Sequence, residues 1–189
     1  RDHCVTGVQT CALPICVGFD EEGVFIYAKQ FFWDEGLLAS VTDTKGKMLK
    51  NKTTTLEFLG ILLPFVTAPS LFRGKYVVAK VDNIGCYFGW INRQASGDEM
   101  ASILIRCLHI VSVQLDCYIH VEHLPRISSW EACLVDRLSR SSSTTTEDRR
   151  LLSSFKDIPD LPVSLASWAR RPVEDWGLWK KVLKDISLA

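Results

Sequence analysis

The sequence has little with which to hold a soft metal, cross a membrane or grip nucleic acid through bulk charge. Its 22 basic and 22 acidic side chains cancel, so composition predicts no polybasic arm and no strong stand-alone affinity for a phosphate backbone, which counterion release would drive. No uncharged apolar run reaches the ~20 residues of a membrane helix; the longest, 58–70, is too short and contains two prolines. No cysteines stand in C-x-x-C spacing, and neither H-E-x-x-H nor a Ser-His-Asp wording occurs. What is present suits a folded domain. At 47% hydrophobic and 23% charged, the chain is not disordered. Its 189 residues can bury one core but are short for two independent domains.

The first sixteen residues stand apart. Val5 to Ile15, preceded by Arg1-Asp2 and a two-residue gap at His3-Cys4, resembles the in-frame translation of a short-read sequencing adapter with its variable index. The stretch is neither basic-then-apolar nor long enough for a signal segment. On that resemblance 1–16 is set aside as an adapter-derived artefact, and native sequence is expected from about Val17, in mid-domain. Three of seven cysteines go with it, leaving Cys86, Cys107, Cys117 and Cys133. Scattered thiols at apolar positions fit an intracellular, reducing compartment, cytoplasmic or nuclear.

Beyond that segment, β-rich runs at 17–19 and 24–33 flank Asp-Glu-Glu-Gly, a hairpin signal, and 37–42 is a further candidate strand. The lysines at 45, 47, 50 and 52 read as a solvated loop. Thr54 and Glu57 fit a capping box opening an apolar helix over 56–66, which Pro64 should kink or end. Tyr76 to Val81 reads as a strand buried on both faces, running through Asp82-Asn83 into a helix ending near Asn92. Asp98-Glu99 opens a helix with Met100, Ile103, Leu104, Cys107, Val111 and Leu115 at helical spacing. Tyr118 to Leu124 is another strand, and 130–140 another helix. Aromatics at 25, 27, 31, 32 and 33 are expected in the sheet core. Strands alternating with helices after an opening meander predict an α/β fold, a mixed sheet covered by helices.

Three acids lie where α/β enzymes place chemistry: Glu57 in a first helical turn, Asp82 at the carboxyl end of a buried strand, and Asp136 in a late helix. Such carboxylates are hard oxygen ligands for magnesium. Each also has a plainer use, with Glu57 completing a capping box, Asp82 capping the next helix and Asp136 as a surface acid. The words around them are more specific. Thr-Thr-Thr-Leu-Glu57, Val-Asp82-Asn83, Glu-His-Leu-Pro125 and Val-Asp136-Arg-Leu-Ser-Arg140 resemble the ribonuclease H domain of retroelement reverse transcriptases, over about 17–140.

That resemblance implies a five-stranded mixed sheet in the order 3-2-1-4-5, with strands 1 to 3 antiparallel and the first strand truncated or replaced here. It implies two Mg²⁺ (or Mn²⁺) ions held by Glu57, Asp82 and Asp136, hydrolysing the RNA strand of an RNA–DNA hybrid. Asn83 would contact the minor groove, where 2′-hydroxyls mark RNA. Partners would be the hybrid and the polymerase, integrase or recombinase parts of a polyprotein, with no membrane involved. Residues 141–146 would be a linker and 147–189 a helical extension, amphipathic around Trp168, Trp176 and Trp179.

Two features depart from the family pattern. Its first carboxylate lies on the opening strand. Here Asp20 is the available residue, unless that strand stood upstream of Val17, in which case one metal loses its bridging ligand and the enzyme is impaired. The family's glycine after the histidine-proline segment is Arg126, and His123 precedes Pro125, where a structural role suits it. A non-catalytic ribonuclease-H-like connection module of a polyprotein is the alternative. Its mark would be carboxylates that fail to converge.

Overall fold

The computed structural model describes residues 2–7, 15–31, 41–45, 49, 52–124, 130–139 and 145–158. The fold is mixed α/β. Five strands, β1 (Asp2–Gly7), β2 (Ile15–Phe19), β3 (Phe25–Gln30), β4 (Tyr76–Val81) and β5 (Tyr118–His123), form one sheet in the order β3-β2-β1-β4-β5. The first three are antiparallel, whereas β4 and β5 run parallel to β1 and to each other. Five helices cover the sheet: α1 (Lys52–Thr67), α2 (Ile84–Asn92), α3 (Glu99–Gln114), α4 (Trp130–Ser139) and α5 (Thr146–Ser154).

Alternation along β2 sorts the two faces, because successive side chains leave a strand on opposite sides. Cys16 joins the main core, with Tyr27 and Phe31 near β3, Val77, Ala79 and Val81 of β4, and the apolar sides of α1, α2 and α3. Ile15, Val17 and Phe19 meet Leu134, Val135 and Leu138 of α4 in a smaller second core, which Leu151 and Leu152 of α5 flank. The sheet thus begins ahead of Val17, and the helical layer continues past the boundary expected at 140. Expectations for 32–40, 125–129 and 141–144, and for the tail from 159, lie outside the described residues.

Two local expectations need correction. The helix opens at Lys52, so Thr54 and Glu57 are both inside α1 and form no capping box. Pro64 sits within α1 without ending it, and the helix runs on to Thr67. A proline there removes the N–H that would bond the carbonyl four residues back. That carbonyl is Gly60 O, and the Cys16 thiol donates to it at 3.0 Å. The acceptor left over by proline is thus used by the sheet beneath it. Elsewhere the pattern and the structure agree closely: β4 spans the expected residues, and α3 opens at Glu99 with Asp98 as its cap.

Candidate carboxylate site

The site is built at the carboxyl end of β4. Val81 ends the strand, Asp82 follows, and Asn83 caps α2 by accepting the Cys86 N–H at 3.1 Å through Oδ1. The plainer use of Asp82 as the helix cap is therefore taken by its neighbour. Glu57, fully buried between Leu56 and Phe58, is equally excused from capping α1. Both carboxylates act on one group: burial pushes the Cys86 thiol well above its ordinary range, Glu57 adds to the push, and Asp82 adds a little more. On α1 the neighbours of Glu57, Thr54 and Phe58, come up against α2.

The two helices pack closely there. At Gly89 a Cβ would stand 3.3 Å from two ring carbons of Phe58, so α2 and α1 meet there with no room for a side chain. Gly85 faces the polar end of the same seam, where an added Cβ would meet Asn83 Oδ1 and Thr54 Oγ1, each at 3.0 Å. Beside it opens a cleft of about 200 Å³ lined by Thr54, Phe88, Asn92, Gln94 and Asp98 among others.

Asp136 lies elsewhere. It is half-buried on α4, which packs on β1 and β2 from the second core's side. Among the described residues no three His, Cys, Asp or Glu side chains are grouped as a metal ion requires. Thus Asp82 follows the end of β4 and Glu57 is buried on α1, and no third ligand completes a metal group among the described residues. Register explains why β1 does not make up the number. Thr6 pairs with Val81, which puts Gly7 level with Asp82, while Asp2 pairs with Val77. Neither residue at the site end of β1 carries a carboxylate.

Asp20 cannot replace it. Phe19 pairs with His3, and His3 with Val78, so Asp20 lies at the other end of the sheet, about 16 Å from Asp82 along the strands. Its carboxylate is spent on the β2–β3 turn, accepting from Glu22 N at 3.1 Å and Val24 N at 2.7 Å, with Gly23 at φ 78° completing the bend. The histidines are structural in their surroundings. His109 stacks on Trp90 with centroids 4.5 Å apart, and burial followed by the Arg93 charge lowers its pKa. His123 lies 6.2 Å from the Tyr87 ring.

Magnesium needs few protein ligands and keeps its waters. A buried glutamate and a strand-end aspartate are the kinds of oxygen ligand such an ion takes. They do not supply a second ion, for which the described residues offer no further carboxylate. Sequence reasoning missed Asp98 altogether, beyond its place at a helix start. It is 2% exposed and bonds to Lys52 and Thr55 of α1. An acid capping an apolar helix gives no hint of a partner more than forty residues away. Among the described residues no helix is long and apolar enough to cross a membrane. No family model, curated protein or solved structure matches the chain.

Proposed function

We propose that this chain derives from the ribonuclease H domain of a retroelement reverse transcriptase and acts on RNA–DNA hybrids with one hydrated Mg²⁺ or Mn²⁺ at Glu57 and Asp82. The observation that carries the reading is the placement of Asp82 at the carboxyl end of β4, with the buried Glu57 on α1, whose neighbours Thr54 and Phe58 meet α2 at Gly85 and Gly89. The strand order β3-β2-β1-β4-β5, with the same pattern of directions that the sequence resemblance implies, supports it further. A bound divalent ion would polarise a scissile phosphate and lower the pKa of its water. Glu57 and Asp82 would hold the ion, and the Asn83 amide, whose Oδ1 is already engaged as a cap, has N–H donors for a ribose or base edge in the minor groove. With no carboxylate at the end of β1, hydrolysis is slow.

A specific observation favours the second reading, a hybrid-binding connection module without catalysis: the described residues form no three-carboxylate group. One experiment separates the two. The purified chain is incubated with a hybrid labelled on its RNA strand, with Mn²⁺ or with chelator. Slow cleavage that Asp82→Asn and Glu57→Gln abolish, with hybrid binding retained, supports the enzyme. Hybrid binding alone supports the module. Cleavage that survives Asp82→Asn sinks the site assignment.

A further inference from the structure

We propose that Asp98 is a positioning residue for Glu57, an inference that rests on Glu57 being a cation ligand. Asp98 caps α3, accepting the Ala101 N–H at 3.2 Å through Oδ1. A cap needs no more than that, and serine or asparagine serves as well. Asp98 instead is 2% exposed and turns both carboxylate oxygens to α1. Lys52 Nζ donates to Oδ1 at 3.0 Å, and Thr55 Oγ1 donates to Oδ2 at 2.5 Å. Burying an ion pair rarely adds net stability over apolar packing; what this one supplies is direction.

Helical geometry shows which direction. Lys52 and Thr55 are three residues apart and share one side of α1. At 100° per residue, Glu57 lies about 150° round the helix from them. Asp98 therefore grips the first turns of α1 from the α3 side and leaves Glu57 on the far side, next to Thr54 and Phe58, which face α2 at Gly85 and Gly89. Apolar contacts at Leu56 and Phe58 hold the depth of α1 but are non-directional, so its rotation falls to the hydrogen-bonded clamp. The clamp is itself braced. Ser102 Oγ donates to the carbonyls of Asp98 and Ala95, at 3.1 Å and 3.2 Å, and accepts the Ala95 N–H at 3.0 Å. The Lys52 ammonium, held on this side, is also kept away from the carboxylate pair.

The test uses the full chain and Mn²⁺, with free Mn²⁺ read by electron paramagnetic resonance and folding read by denaturant titration. Thr55→Val removes one donor at constant shape, Thr55→Ser restores it, and Glu57→Gln is the reference. The expected result is about a tenfold rise in the Mn²⁺ dissociation constant for Thr55→Val, with Thr55→Ser within about twofold of wild type. Asp98→Asn should follow Thr55→Val. A Thr55→Val chain that loses stability but binds Mn²⁺ like wild type overturns the positioning role. Glu57→Gln binding like wild type, or no saturable binding by wild type, overturns the ligand assignment beneath it.

Discussion

The two faces of the sheet are held in different ways. On the first, α1, α2 and α3 bury a continuous core that reaches from Tyr27 and Phe31 across β4 to Ile119 and Val121. On the second, α4 buries Leu134, Val135 and Leu138 against three β2 side chains, and Trp130 adds an edge-on ring contact with Phe19. A polar clamp then ties it to α5. Arg137 Nε and Nη2 donate to the two oxygens of Asp148 at 2.8 Å and 2.7 Å, and Asp148 completes the capping box of its own helix with Thr145. The first face therefore owes the depth of its helices to apolar area, with the Asp98 clamp on Lys52 and Thr55 orienting α1. The second has far less apolar area and leans more on charge. Asp82 and the depth of Glu57 are set by the broad core, whereas Asp136 sits on the face with the smaller one.

The comparison breaks most sharply by hollowing the first face. Phe58→Ala, at a fully buried position against Gly89, should cost about 3–5 kcal/mol and leave much of the chain unfolded in denaturant titration. The second face is probed by a smaller deletion: Val135→Ala removes two methyl groups and should shift the same midpoint by less than half as much. Asp98→Ala comes next, at about 3 kcal/mol, since it strands Lys52 and removes a helix cap. Gly89→Ala tests the seam between α1 and α2. Its Cβ would crowd the Phe58 ring at 3.3 Å, so the expected loss is about 1–3 kcal/mol.

Asp148→Asn is smaller, about 1 kcal/mol by thermal unfolding, because the Arg137 side chain is 44% exposed and water screens its side of the bridge. The bridge also gives a pH signature. Hydrogen bonding by Arg137 holds the Asp148 carboxyl well below the usual carboxylate range. Its contribution is therefore complete above the unfolded value of about 4 and drains away as pH falls below it. Acid should loosen α5 before the first core fails. Hydrogen exchange showing α1 opening before α5 at low pH would contradict the contrast.

The mildest test is chemical. Burial raises the thiols of Cys107 and Cys117 to about 12 and about 11, whereas Cys133 on α4 is exposed. Peptide mapping after brief alkylation at pH 8 should find Cys133 modified well ahead of Cys86, Cys107 and Cys117. Equal labelling would mean that the first face opens as readily as the second.

Elements whose information is local were legible in the sequence. Tyr76 to Val81 and the 3.6-residue recurrence from Met100 to Leu115 specify their own burial, and Asp98-Glu99 marks a helix start by its own chemistry. Tertiary partners were not legible. Lys52, taken for part of a solvated lysine run, is drawn into α1 by Asp98, which is why the helix opens earlier than a Thr54 cap would allow. Pro64 was misread because the thiol serving the orphaned carbonyl comes from Cys16, in the stretch set aside. The candidate site was legible as residue types, with Asp82 just past β4 and Glu57 buried on α1. The gap beside them was not, since it depends on which strand lies next to β4 and in what register.

That register makes β1 an address with an exchangeable occupant. Backbone pairing on both sides holds residues 2–7 between β2 and β4 through amide groups common to every residue. Six residues of another sequence could thread the same slot without redrawing the sheet. What they would change is the chemistry delivered at its far end, where positions 6 and 7 come level with Val81 and Asp82. The fold is thus a socket and its central strand an insert, so the chemical group presented beside Asp82 is decided by two positions of β1 while the pairing that holds the strand is decided by its backbone.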